Sequence, residues 1–171
     1  NDNLLWSKKI DVQKQSYTEN DITIDNNNNI VFRAFFSDSL LLNGNLLSVN
    51  QGIFNSALFK FDPSGNLIWY QVLKGTAPQG AHVKVDNQDN IYVAGRFCDT
   101  LSISGSSIFE LKQGYFCGDA YISKLSPNGQ VKWISRVGTN YGEDNIQGFA
   151  VNGNGICYVQ SDWPARTLYI N

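Results

Sequence analysis

The chain has 171 residues, with 13 Lys and Arg against 15 Asp and Glu and a formal net charge of −2. Such a balance, with 16% charged residues, offers no basic face for nucleic acid, and no apolar run approaches the length of a membrane-spanning helix. Aromatic residues make up 13%, enough for broad packed interfaces, and no Cys-x-x-Cys pair or Cys/His cluster suits zinc.

Asp2-Asn3-Leu4-Leu5-Trp6 opens the chain as a strand carrying Trp. Ile22-Thr23-Ile24-Asp25 is a short alternating run, the polar stretch 26–29 is a turn, and Ile30-Val31-Phe32-Arg33-Ala34 is a second strand. A variable stretch containing Ser39-Leu40-Leu41-Leu42-Asn43 leads to a third strand, Ala57-Leu58-Phe59-Lys60-Phe61. The tight turn Asp62-Pro63-Ser64-Gly65 then delivers Gly65-Asn66-Leu67-Ile68-Trp69, which restates the opening phrase. The order begins again with Val83-Lys84-Val85-Asp86, the turn 87–90 and Ile91-Tyr92-Val93-Ala94-Gly95. It continues through Thr100-Leu101-Ser102-Ile103-Ser104, Tyr121-Ile122-Ser123-Lys124-Leu125 and the turn Ser126-Pro127-Asn128-Gly129, and closes on Trp133. Phe149-Ala150-Val151-Asn152 and Ile156-Cys157-Tyr158-Val159 start a third copy.

β-Branched and aromatic runs separated by Asn, Asp, Pro and Gly are a strand–turn signal, and no segment sustains a period of 3.6. Four antiparallel strands per repeat, joined in sequence, make a β-propeller blade. The expected fold is therefore all-β: a β-propeller segment of four-stranded antiparallel blades, with two complete blades and partial terminal ones. Residues 1–15 supply the last strand of a preceding blade, 20–75 blade 1, 80–138 blade 2, and 145–171 the first half of blade 3. A ring needs roughly four to eight blades, so the expectation is a segment of a longer propeller. The alternative is self-association, with one chain's terminal strands completing a neighbour's blade.

The residues Asp86, Asn90-Ile91-Tyr92-Val93-Ala94-Gly95, Asp119-Ala120-Tyr121-Ile122-Ser123-Lys124-Leu125, Pro127-Asn128-Gly129 and Trp133 resemble the SBBP family of β-propeller repeats. Blade 1 departs from that pattern, lacking the strand Gly after Ile30 and carrying Ala57 where the aromatic stands. The resemblance implies a seven-bladed form in bacterial surface and secreted proteins. It does not carry function with it, since propellers host many unrelated roles.

Trp6, Trp69 and Trp133 hold one position in every repeat, which points to burial between adjacent blades rather than a ligand-stacking ladder. Lys60 and Lys124 also recur and read as solvated strand residues. Asp25-x-Asn27-x-Asn29 and Asp86-x-Gln88-x-Asn90 place oxygens at alternating positions, the only calcium candidates. They lack the Gly and the distal Glu of an EF-hand, Phe36 and Phe97 standing where that Glu would be, so Asx-turns are the competing reading. Cys98 and Cys117 bracket the variable stretch of blade 2. That placement suggests a disulfide and an oxidising compartment, the alternative being two unrelated thiols. Cys157 reads as a packed free thiol. His82, the single histidine, reads as a surface or edge residue, no nucleophile elbow accompanies it, and Glu143 and Asp144 are adjacent in an inter-blade loop. No cofactor is implied.

The reading of function is a non-enzymatic structural or adhesive module on an extracellular surface, with a protein or polysaccharide partner. The alternatives are a virion or fibre component assembled between chains, and a propeller-based lyase or glycosidase whose site lies outside these residues.

Overall fold

Asp25, Asp62, Asp86, Ser126 and Asn152 each open the same turn. The N–H three residues on donates to the opening residue's carbonyl, and the opening N–H donates to the carbonyl four residues on. The opening side chain accepts the N–H of that fourth residue: Asn29 onto Asp25 at 2.9 Å, Asn66 onto Asp62 at 2.8 Å, Asn90 onto Asp86 at 2.9 Å, Gln130 onto Ser126 at 3.1 Å and Ile156 onto Asn152 at 2.9 Å. The third position is left-handed, held by Asn28, Gly65, Asp89, Gly129 and Gly155 with φ of 61°, 80°, 60°, 80° and 83°. Short polar side chains and Gly tolerate that conformation. The polar turns and the Pro-Gly turns, which differ in sequence, are thus one hairpin design.

These turns join strands in a computed structural model that describes residues 4–12, 20–36, 38–49, 55–109, 118–138 and 144–161. Every regular element among them is a strand. They are β1 (Ile10–Val12), β2 (Asp21–Ile24), β3 (Ile30–Phe36), β4 (Ser39–Leu42), β5 (Asn45–Val49), β6 (Asn55–Phe61) and β7 (Leu67–Val85). There follow β8 (Ile91–Ile103), β9 (Ser106–Phe109), β10 (Asp119–Leu125), β11 (Val131–Val137), β12 (Ile146–Val151) and β13 (Cys157–Ser161). All pairings are antiparallel, and the all-β class expected from the sequence is the class observed.

The repeat is visible in the ladder. In the first copy β2 pairs β3, β3 pairs β6, and β6 pairs β7 over Leu67–Lys74. In the second, β7 over His82–Val85 pairs β8, β8 pairs β10, and β10 pairs β11. β12 and β13 repeat the first hairpin. β7 therefore serves two repeats, and its register shifts between Lys74 and Thr76. Gly75 sits at that break with φ of 80°, and a Cβ there would collide with the Thr100 carbonyl oxygen.

The described parts of the first two variable stretches are strands, a result the sequence reading did not anticipate. Each of these two contributes a hairpin that pairs with the last strand of the preceding repeat. Ile10 in β1 faces Leu42 in β4, and at the corresponding place Leu73 in β7 faces Ile103 in β8. The core follows the same plan. Val31 and Leu58 of the first repeat cluster with Val83, Ile91, Val93, Tyr121 and Leu125 of the second. Tyr92, Ala94, Ala120 and Ile122 cluster with Ile146 and Phe149 beyond. Alternate residues of each strand thus face the following and the preceding repeat, which is why β6 is buried along its whole length.

Candidate functional site

The densest polar contacts lie where the tight turns of successive repeats meet. Asp25 is buried, and besides the N–H of Asn27 and Asn29 it accepts the carboxamide of Asn29 at 2.9 Å. Lys60 Nζ lies 2.8 Å from Asp25 Oδ2, the two side chains being 6% and 0% exposed. The same ammonium donates to the Pro127 carbonyl of the next repeat at 3.2 Å. Asp86 repeats the arrangement. It accepts from Gln88 N–H, Asn90 N–H, the Asn90 carboxamide and the Tyr92 hydroxyl, with Lys124 Nζ at 3.4 Å. Burial works against both carboxylates, but hydrogen bonds outweigh it, from Lys60 and Asn29 on Asp25 and from Asn90 and Gln88 on Asp86, and hold both below the usual carboxylate range.

The expectation that Lys60 and Lys124 are solvated strand residues is corrected. Lys60 is buried and Lys124 half-buried, because each supplies the counter-charge for a carboxylate that the turn has already taken out of water. Of the calcium candidates, Asp25 is joined to Asn29 and Asp86 to Asn90, each pair within its own turn. Asn27 turns away, and its carboxamide donates to Asp89 Oδ2 of the next repeat at 2.8 Å. A calcium ion in either turn has to displace a lysine ammonium and several N–H donors. Among the described residues no three His, Cys, Asp or Glu side chains converge as a metal set.

The tryptophans stand beside these turns. Trp6 Nε1 donates to the Pro63 carbonyl at 3.0 Å and Trp69 Nε1 to the Pro127 carbonyl at 3.1 Å. Each indole lies on the glycine of the following turn, where a Cβ would come within 2.6 Å of the Trp6 ring at Gly65 and 3.3 Å of the Trp69 ring at Gly129. Both tryptophans are half-buried. Trp133 meets Tyr92 edge-on, ring centroids 6.2 Å apart.

At the opposite end of the strands the polar groups are buried without a turn around them. Arg33 is fully buried, donates to the Ala94 carbonyl at 2.6 Å, and lies 4.9 Å from the Phe35 ring centre. Asp119 is fully buried with Arg136 at 3.0 Å. Asp144 is buried with its N–H on the Gly118 carbonyl, while Glu143 lies outside the described residues. His82 lies on the stretch of β7 that pairs with β8 alone, an edge position as expected though not an exposed one. It is half-buried, Nε2 lies 3.3 Å from the Ile146 carbonyl, the ring is 6.1 Å from Phe149, and burial lowers its pKa. In the copy before, Asp21 occupies this position and accepts from Val83 N–H and Lys84, both in the second repeat. In these two copies the position is an inter-repeat contact.

Cys98 is half-buried, and Cys117, its suggested partner, lies outside the described residues. Cys157 is a free, half-buried thiol whose pKa burial pushes up to about 11. The lysines were the functional residues most poorly read from sequence; their recurrence two positions before each tight turn was the available signal.

The chain matches no family model and no curated protein.

Proposed function

We propose that the chain is a segment of a β-propeller of the SBBP type, with 20–75 and 80–138 as whole blades. It acts as a non-enzymatic structural or adhesive module on an extracellular surface. The observation that carries this reading is the repeated junction: Trp6 on the Pro63–Gly65 turn and Trp69 on the Pro127–Gly129 turn. One contact used at successive boundaries imposes the same rotation at each, as a ring of blades requires. The groups with perturbed pKa values are spent on turn capping and inter-repeat contacts, which favours a scaffold over a reaction centre. The partner is a protein or a polysaccharide, bound by the loops at one end of the strands.

The test is the intact mass of the natural polypeptide, together with its rotational symmetry in electron-microscopy class averages. A mass several repeats larger with a closed ring supports the reading, and an open stack of repeats refutes it. A second reading rests on the exposed apolar side of the last hairpin, where Ile156 is 51% and Tyr158 57% exposed. Here copies of the chain complete one another's blades in a virion or fibre. A mass that grows with concentration selects it.

A further inference from the structure

A groove of about 450 Å³ runs along the outer edge of the second junction. Trp69 and Gln71 of β7 form one wall, Ser104 at the tip of the β8–β9 hairpin another, and Asn128 and Gln130 of the turn before β11 the third. No Asp, Glu, Lys, Arg or His lines it. Carboxamides and a hydroxyl around a half-exposed indole cannot hold an ion, but they match a ligand that alternates hydroxyl groups with a C–H face.

The wall is held in place while part of its hydrogen-bonding capacity stays uncommitted. Gly129 lets the turn close on one face of the indole, whose N–H is fixed on the Pro127 carbonyl. Gln71 Nε2 donates to Ser104 Oγ, while Gln71 Oε1 is buried and meets no donor among the described residues. A buried acceptor left unsatisfied is costly, and turning the Gln71 carboxamide into the groove would let a ligand hydroxyl satisfy it. Gln130 is fixed through its backbone, by bonds in both directions with Ser126, so its carboxamide is not needed for the turn.

The first junction, built on the same frame, differs in just these groups. Its corresponding positions are Trp6, Lys8, Asn43, Ser64 and Asn66. There the Asn66 carboxamide donates to Asp62 at 2.9 Å, Asn43 Oδ1 accepts the Lys9 N–H at 3.2 Å, and Lys8 introduces a charge. The turn consumes the Asn66 carboxamide at the first junction and leaves that of Gln130 open at the second.

We infer that the groove beside Trp69 binds an uncharged saccharide. The indole covers the C–H face of one sugar ring, and Gln71, Asn128 and Gln130 bond its hydroxyls. This rests on the reading of the chain as a binding scaffold and names the ligand class and the place. The architecture stands or falls separately, on the symmetry of the ring.

The test is titration of the ¹⁵N-labelled chain with uncharged oligosaccharides (cellotetraose and maltotetraose), with polygalacturonate as the acidic comparison. The Trp69 indole N–H and the Gln71 and Gln130 carboxamides are expected to shift with a neutral sugar. Gln130→Ala, an exposed change that leaves the turn's backbone bonds intact, and Gln71→Ala each weaken binding by about tenfold, roughly the loss of one to two hydrogen bonds. Lys8→Ala at the other junction leaves binding unchanged. No shift with either neutral sugar at about 10 mM, a concentration that detects even millimolar affinity, overturns the inference. So does binding that survives both Gln variants, or binding of polygalacturonate alone.

Discussion

The two ends of the strands solve the same problem in different ways. At one end the hairpins at 25–29, 62–66, 86–90, 126–130 and 152–156 are each closed by their own first residue. Toward the other end the first copy adds the hairpin β4–β5, and the second runs on through Gly75 in β7 and out to β9. Buried charge occurs at both. Asp25 is satisfied by donors two and four residues away plus a single lysine, whereas Arg33 relies on Ser56 and Ala94, and Asp119 on Arg136. The first end is determined by short stretches of sequence and is the same in each repeat. The second is assembled from distant residues and differs between repeats, which leaves it free to carry specificity.

The contrast can be broken most severely at Lys60. Lys60→Met leaves Asp25 buried without its counter-charge and should cost about 3–5 kcal/mol in urea melts. Asp25→Asn added to Lys60→Met should restore most of that loss. If Lys60→Met alone is neutral, the tight-turn end does not depend on the pair. Trp69→Ala comes next, at about 3 kcal/mol, the low end for a large aromatic because the indole is half-buried. Gly129→Ala should cost about 1–2 kcal/mol for an L-residue in the left-handed position. Asn28→Gly, at the matching place in another turn, should be neutral or slightly stabilising, which separates backbone conformation from the contact with Trp69.

Acidity sharpens the comparison further. Asp25 and Asp86 have folded pKa values below the ordinary 3.8. Their contribution is therefore complete above that value and is lost as pH falls through the depressed folded values. Asp86→Asn should shorten the acid limb of a stability–pH curve measured by chemical denaturation. His82 gives the smallest effect. Its folded pKa lies below the ordinary 6.5, so the neutral ring's contribution is complete above 6.5 and declines as pH drops from there toward the folded value. His82→Gln should remove that slope; a slope that persists places its origin elsewhere.

The tight-turn end was largely legible in the sequence, because Asp, Asn, Pro and Gly act on neighbours within a few positions. Strand type followed from the same local signals. What escaped was long-range. Lys60 and Asp25 are separated by a whole hairpin excursion, and the recurrence of Lys two positions before the turns at 62 and 126 marks the position without naming its partner. The hairpins β4–β5 and β8–β9 carry visible alternation at Leu40 and Leu42 and at Leu101 and Ile103. Their partners, however, belong to the repeat before, so pattern alone gives no destination. Nothing local marks Arg33 as buried, and one of the groups that receives it, the Ala94 carbonyl, comes from the next repeat. The groove beside Trp69 is a product of two repeats and is written in neither.

The backward-reaching hairpins also bear on how such a chain can lengthen. Each repeat lays β-structure on its predecessor, as Leu42 does on Ile10 and Ile103 on Leu73, while each indole reaches forward onto the next turn. Unequal recombination that preserves the phase from one Trp to the next inserts or deletes a repeat and recreates a junction already proven. A crossover out of phase strands a ladder edge and an indole together. The heritable unit is then the seam between repeats rather than the sheet, and gene copies should differ by whole multiples of that seam-to-seam distance.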